Sequence, residues 1–374
     1  MNFVNQLIFS LAIIGFLFSI GLLISINKYY LKAKLLFVLF ILIQSFNILY
    51  AYSVLSPLYH FLPNILQINH LFQLATPGTI FLFSYFLVNP QKKFNGWLLL
   101  VFIPLVIGFI YLFPFYFGTI KEKINFQENF QSGNFPLNQK VLFLLKLING
   151  ILFLALAISE LKKHETHVFN IYSTIGDKTH RWLRNALFSF LIIWVLVVFV
   201  KWQFDFRIST ATLAIAVGLM NFYLSFNYLI HIFPLNQEHE TEQIQFQSII
   251  VPSNVEEFDA AYLEELKTAF LKEVNEKQPY LNADCNLNCF AEQVNIKPYL
   301  ISTILNQNMG VNFYDFISDL RAETAALLLN NNSKKNLTID AIAFESGFKS
   351  KTTFYKAFKK KYHLTPSEYI KQRN

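Results

Sequence analysis

This sequence predicts an all-α protein: a seven-helix transmembrane bundle followed by an all-helical domain with two helix-turn-helix units joined by a long helix. Three observations carry that prediction. Of the 374 residues, 54% are hydrophobic and only 15% are charged, whereas soluble domains carry roughly 25% charged residues. The charge is also segregated: residues 1–233 hold 16 Lys and Arg against 6 Asp and Glu, residues 234–286 hold 3 against 11, and residues 287–374 hold 12 against 7. From residue 287 onward the chain reads as short amphipathic helices in pairs rather than as apolar spans. The net +7 is therefore a composite of basic, acidic and basic stretches and identifies no partner by itself.

A spanning helix needs roughly 20 apolar residues, because hydrocarbon offers backbone groups no hydrogen-bonding partner. The first charge is Lys28, and the run before it lacks the cationic start and small-residue cleavage site of a signal peptide, so it is retained as a span near 4–26. No charge falls between Lys34 and Lys92, an interval that holds spans near 35–55 and 71–89 around a turn-rich stretch with Pro57 and Pro63. Further spans lie near 96–117, 140–159, 184–201 and 209–232. The loops after spans one, three and five carry ten Lys and Arg, and the alternate loops carry five. The positive-inside rule then puts the first set in the cytoplasm, the N-terminus outside and the C-terminal domain inside.

The largest outer loop, 118–139, is too short to bury a core of its own, so an external signal has to be read by the bundle. Lys146 within the fifth span is the clearest polar candidate for that contact, with Asn149 beside it, because an ionisable group in hydrocarbon is costly. The bland alternative is that Lys146 snorkels to the nearby headgroups. Gln44, Asn47, Asn221, Asn227 and His231 serve equally well as interhelical glue.

Residues 234–254 form an acidic polar connector with Pro234 and Pro252. An amphipathic helix follows within 255–280: Phe258, Tyr262, Leu266, Phe270 and Val274 recur every four residues over 256–275. The stripe packs either on the following domain or on a second copy of the chain, which makes it a coupling or homodimer element. The two cysteines, Cys285 and Cys289, lack the further ligands of a closed zinc site and are read as packing residues. The sequence calls for no metal and no cofactor.

The domain at 281–374 contains two helical pairs. In the second, Thr338 caps a helix with Ile342 and Ala343 inward, Gly347 makes the turn, and Ser350 caps a helix with Phe354 and Phe358 inward. Lys351, Thr352, Thr353, Tyr355, Lys356, Lys359 and Lys360 fall on the outer side or beside it, with Lys349 just ahead. A basic, polar second helix after a Gly turn suits the major groove: lysines hold phosphates while hydroxyls meet base edges. Thr365-Pro366-Ser367-Glu368 is a capping box with Pro366 at the first helical position. In the first pair Pro298 opens the second helix, Ser302, Thr303 and Asn306 are its available polar groups, Gly310 ends it, and Asn312 caps the long connecting helix.

At these residues the chain resembles the AraC/XylS family of transcription regulators. The resemblance covers about 280–371 and rests on Asn295-Ile296-Lys297-Pro298, Asn306 to Phe313, Leu320-Arg321, Ile342 to Ser350, Thr352 to Lys360 and Leu364 to Tyr369. It implies two helix-turn-helix units that bind double-stranded DNA, Arg321 on the linking helix, Gly347 at the second turn and a second recognition helix at 351–359. A multi-span region in front is similar to a membrane-bound subset in Bacteroidetes-type bacteria, which implies a bacterial inner membrane. Two residues depart from the family pattern: His363 stands where Gly is usual, and Lys297 where a Ser cap is usual. Residues 287–330 also hold only two Lys and Arg against four Asp and Glu, which leaves most phosphate attraction to the second unit.

The expectation is therefore a multi-pass, membrane-anchored regulator of transcription without enzymatic activity, sensing an unknown small-molecule or membrane signal. Its competitors are a transporter or channel with a regulatory tail, and a membrane scaffold whose C-terminal domain binds protein. No paired inverted repeat of broken spans supports the first, and the lysine-rich face at 351–361 argues against the second.

Overall fold

The computed structural model describes residues 3–24, 30–132, 137–175, 179–203, 205–231, 259–330 and 337–373. The acidic connector 234–254, Phe258, Lys28 and Lys178 lie outside the described residues. The described chain is helical, with one isolated antiparallel bridge, Tyr172 to Asn286. It divides into two compact units: residues 1–163 with 180–237, and residues 164–179 with 238–374.

The first unit opens with α1 (Phe3–Ile24), α2 (Leu31–Leu55) and α3 (Ile68–Val88). A 3-10 turn, Gly96–Phe102, leads into α4 (Ile103–Tyr116), followed by α5 (Ile120–Gln131), α6 (Leu137–Ile171), α7 (Arg181–Gln203) and α8 (Phe206–His231). Six helical stretches are long and apolar enough to cross a membrane among the described residues. At the predicted sixth span stands α7, whose side chains beyond residue 192 lie outside the described residues. The expected fifth span ended near 159, but α6 runs on to Ile171, and its last turns belong to the second unit.

The central helix is α2, packed against α1, α3 and α8. Aromatic rings fill that junction: Phe37 stacks on Tyr228 at 4.5 Å and meets Phe83 at 4.9 Å. Conversely Leu17, Ile20, Ile107, Ile110, Ile148 and Phe222 are exposed. An apolar exterior of this extent suits hydrocarbon rather than water.

The segment expected as an outer loop contains α5. Thr119 and Glu122 cap it reciprocally, Thr119 N donating to Glu122 Oε2 at 2.8 Å and Glu122 N to Thr119 Oγ1 at 3.3 Å. Its Lys123, Gln127 and Phe130 are buried. Lys123 Nζ donates to Asn64 Oδ1 and to the Tyr116 carbonyl, both at 2.9 Å.

The second unit contains α9 (Ala260–Lys277), α10 (Leu287–Val294), α11 (Pro298–Thr303, extended by a π turn at Ile304–Asn308), α12 (Phe313–Asn330), α13 (Ile339–Glu345), α14 (Lys351–Tyr362) and α15 (Pro366–Arg373). Two cores meet along α12. Phe313, Phe316 and Ile317 join Phe290, Val294, Ile301 and Leu305 in one. Ala322, Ala325 and Ala326 join Ile342, Ala343, Phe348, Phe354 and Phe358 in the other. Phe270 and Val274 of α9 are fully buried in the first core, with Leu266 packed against it. The stripe, expected to pack on the following domain or on a second chain, is thus largely covered within its own chain, and Tyr262 stays exposed.

Candidate nucleic-acid interface

The second helical pair is set by local caps. Thr338 Oγ1 accepts from Ala341 N at 3.2 Å to start α13, and Ser350 Oγ accepts from Thr353 N at 3.2 Å to start α14. Between them Gly347 has φ +85°, and a Cβ there would lie 2.7 Å from the Tyr280 carbonyl oxygen and 2.8 Å from that of Leu281. Glycine is required on both counts, by its left-handed backbone and by the close approach. His363 ends α14 in the left-handed region at φ +59°, its N–H donating to the Lys359 carbonyl at 2.9 Å. Thr365 and Glu368 complete the cap of α15, the Thr365 N–H donating to Glu368 Oε2 at 2.7 Å.

With Phe354 and Phe358 fully buried, α14 turns its opposite face outward. The expected lysines separate into two groups. Lys349 pairs with Asp284 at 2.6 Å, Lys351 with Asp340 at 3.1 Å and Lys360 with Asp315 at 2.8 Å. Asp340 beside Lys351 and Asp315 beside Lys360 hold those ammonium groups above the usual lysine value. Lys356 and Lys359 are exposed, and Lys359 lies near enough to Glu368 to help hold that carboxyl below the usual range. Lys361, half-buried, bonds Glu323 across to α12. Thr352 is exposed, while the Thr353 hydroxyl lies 2.9 Å from Ser350 Oγ in the cap. Tyr355 is half-buried, with the Lys351 ammonium 5.8 Å from its ring centroid.

The first pair is built differently. Asn286 caps α10 by accepting from Cys289 N at 3.0 Å, and Asn295 turns the chain at φ +56°. At Lys297, α11 begins with no side-chain cap, and it passes directly into the π turn. Ser302 is half-buried, and Asn306 is exposed with its Nδ2 donating to the Ser302 carbonyl at 2.9 Å. Thr303, expected among the DNA contacts, is corrected: it is 5% exposed and donates its hydroxyl to the Tyr299 carbonyl at 2.9 Å. The buried arc of this turn is wide, running through Ile301, Thr303, Ile304 and Leu305, so the hydroxyl lies on the core side.

Arg321 is 2% exposed on α12. Its Nε donates to the Tyr280 carbonyl at 2.7 Å, one terminal nitrogen to Asn282 O at 2.9 Å, and the other to Ser173 O at 3.2 Å. Burial lowers its pKa to about 10, so the guanidinium stays charged throughout the neutral range. The partner segment 169–175 was not foreseen. Ser173 Oγ donates to the Cys285 carbonyl, Thr174 Oγ1 donates to Ala283 O at 2.8 Å, and Phe169 meets Tyr314 edge-on at 5.4 Å. Burial among these groups pushes the Cys285 thiol up, which suits the packing role expected of it. Tyr280–Asn282 is thus held by Arg321 and packed against the Gly347 turn, while the residues just after it, Ala283 and Cys285, are held by the segment around Ser173. No sequence pattern marks Ser173 or Thr174, since such long-range contacts leave no local periodicity.

Of the two expected sensing residues in the first unit, Lys146 is buried and donates to Gln73 Oε1 at 2.8 Å. Asn149 is 2% exposed and its amide donates to the Leu74 carbonyl at 2.9 Å, which ties α6 to α3.

Residues 290–372 match the helix-turn-helix domain family. Over 88 residues the chain is 33% identical to an uncharacterized HTH-type transcriptional regulator of Haemophilus influenzae, covering 24% of this chain and 28% of that one. Over 87 residues it is 29% identical to the HTH-type transcriptional regulator MtrA of Neisseria gonorrhoeae, covering 23% of this chain and 28% of that one. The chain therefore spans less than a third of the length of these curated relatives. No solved structure matches it. The C-terminal region thus carries a helix-turn-helix domain similar to part of two proteins named as HTH-type transcriptional regulators, and these relatives are not enzymes.

Proposed function

We propose that this protein is a membrane-anchored, sequence-specific DNA-binding transcription regulator whose helix bundle senses a signal. The observation that carries the reading is the outer face of α14, where exposed Lys356 and Lys359 flank polar groups opposite the buried Phe354 and Phe358. In this reading 1–233 is the sensor, 234–254 the connector, 255–280 the coupling helix and 281–374 the double helix-turn-helix domain. Thr352, Lys356 and Lys359 contact DNA directly, with Asn306 and Ser302 as the first unit's contribution. Lys349, Lys351 and Lys360 exchange an acidic partner for phosphate on binding. The N-terminus is outside and the DNA-binding domain is in the cytoplasm of a bacterial inner membrane. A homodimer through 256–275 would have to use Tyr262 and the outer side of α9, since Phe270 and Val274 are covered.

Full-length protein in lipid nanodiscs tests the DNA reading. Binding to duplex should weaken steeply with salt, because phosphate contacts release counterions; flat salt dependence or no binding to any genomic fragment rejects it. Reporter fusions after residues 93, 170 and 240 should report cytoplasm, and fusions after 62, 130 and 204 the outer side. An external signal from position 240 rejects the orientation.

A further inference from the structure

The first unit holds a partly open cavity of about 180 Å³ lined from α2, α3, α5, α6, α7 and α8. Its wall is of two kinds. Phe130, Phe143, Leu213 and Met220 make one part apolar, while Asn47, Asn69, His70, Gln73, Gln127 and Lys146 supply polar groups. Gln127 is 1% exposed, yet neither its Nε2 nor its Oε1 meets a hydrogen-bonding partner among the described residues. Asn47 Oδ1 and Asn69 Oδ1 are buried and unsatisfied in the same way. Asn47 Nδ2 by contrast donates to the Ile43 carbonyl and to Gln44 Oε1. Buried polar atoms without partners are destabilising and rare, so four of them on one cavity, both of Gln127 and the oxygens of Asn47 and Asn69, mark a place built for a guest. Gln127 comes from α5, the capped helix over the loop between the fourth and fifth spans, which places a side chain of that loop on the same cavity as Gln44 and Thr76 of the spans.

Charge sets the sign of the guest. Among the described lining residues Lys146 is the one Lys or Arg, and there is no Asp or Glu. Its amine reaches the cavity from beside His70 and Gln73. Size sets the rest: an apolar cavity of ~150 Å³ holds benzene. We infer that this cavity binds a small carboxylate with an apolar body of about one ring or six carbons, its carboxylate at Lys146 and its remaining polar atoms at Gln127 and Asn47. The inference deepens the sensor reading of the bundle and rests on it.

Benzoate and hexanoate are the probes, against benzyl alcohol, hexan-1-ol and benzylamine as neutral and cationic counterparts. Full-length protein in nanodiscs is examined by equilibrium dialysis and thermal unfolding. Benzoate or hexanoate should bind saturably at one molecule per chain and raise Tm, the expected linkage of binding to the folded state. The alcohols and the amine should bind at least ~10-fold more weakly, the scale of a lost charge-assisted hydrogen bond. Lys146→Met should abolish the preference for carboxylate over alcohol, and Lys146→Gln serves the same purpose if the Met variant does not fold. Gln127→Leu should raise the unliganded Tm, by removing two orphaned atoms, and weaken carboxylate binding. Absence of saturable carboxylate binding, equal binding of the alcohols, or undiminished binding after Lys146 substitution overturns the inference and assigns the cavity to interior water. DNA binding is measured on the same samples. Intact DNA binding without carboxylate binding removes the cavity proposal alone. Carboxylate binding without DNA binding removes the regulator reading alone.

Discussion

The two helical pairs of the C-terminal unit share a plan and differ in how they are held. In the second, each turn carries its own local device: the Thr338 and Ser350 caps, Gly347 at positive φ, and the Thr365–Glu368 box. In the first, α11 lacks a side-chain cap and runs into a π turn. It is braced instead by distant elements: α9 through Phe270 and Val274, and the segment around Ser173 through Cys285 and Ala283. The second pair has a local device at each turn in addition to its packing on α12. The first pair depends more on elements distant in the chain, α9 and the segment around Ser173.

The largest expected effect tests the brace common to both pairs. Arg321→Ala leaves the Tyr280, Asn282 and Ser173 carbonyls without their buried donor and should destabilise the unit by ~3 kcal/mol or more. Arg321→Lys should recover only part of that, because an ammonium cannot reproduce the planar fork. Hydrogen exchange on the full chain reads the outcome: the Tyr280–Asn282 segment should lose protection along with both cores. Since the depressed pKa remains near 10, stability measured between pH 6 and 8 should show no titration from this group. Gly347→Ala comes next, at about 2 kcal/mol or more, because the new Cβ meets two backbone carbonyls at a strained φ. Its damage should concentrate in the second pair. Equal loss of protection in the first pair would show that the two do not fold as separable halves.

The lysines proposed to face DNA give the next step down. Lys356→Ala and Lys359→Ala should each reduce the slope of log affinity against log salt by ~1, as expected for one lost phosphate contact. Lys351→Ala and Lys360→Ala should do less, since each removes a lysine already compensated by Asp340 or Asp315. As those pairs are surface-exposed and screened by solvent, their loss should change stability little. Equal slopes for all four variants would place the DNA on a different face.

Much of this was legible from residues alone. Gaps between charges located the long apolar helices, because a lysine inside hydrocarbon is costly whatever the fold. The second pair was readable almost residue by residue, since caps, glycine turns and a left-handed His363 are local devices. Three features were not. The burial of Phe270 and Val274 depends on which neighbour covers an amphipathic stripe, and a stripe fits a second chain equally well. Thr303 was misplaced because a six-residue helix followed by a π turn gives too little periodicity to fix a face. The docking of 169–175 rests on backbone carbonyls, which every sequence possesses. By contrast α5 carried a readable signal, the Thr119-x-x-Glu122 capping box ahead of Phe126 and Phe130, which a reading of 118–139 as a bare loop passed over.

The smallest expected effect is also the most direct test of the contrast between the pairs. Lys297 occupies the cap position of α11 with φ −59° and ψ 137° and makes no side-chain cap bond. That backbone geometry already suits a capping residue, so Lys297→Ser should supply an acceptor for the first free N–H groups of α11 and stabilise the helix by about 0.5–1 kcal/mol. The substitution also removes a positive charge from the end where the helix dipole is positive, which acts in the same direction. If the first pair is held loosely so that its braces control it, this cap should raise protection in α11 and reduce the dependence of DNA affinity on Ser173→Ala. The lost lysine charge could itself weaken DNA binding, so Lys297→Ala is the control: it removes the charge without adding a cap. Should Ser and Ala variants behave alike in hydrogen exchange and in DNA affinity, the missing cap has no part in the behaviour of the first pair, and the contrast reduces to which helix carries the exposed lysines.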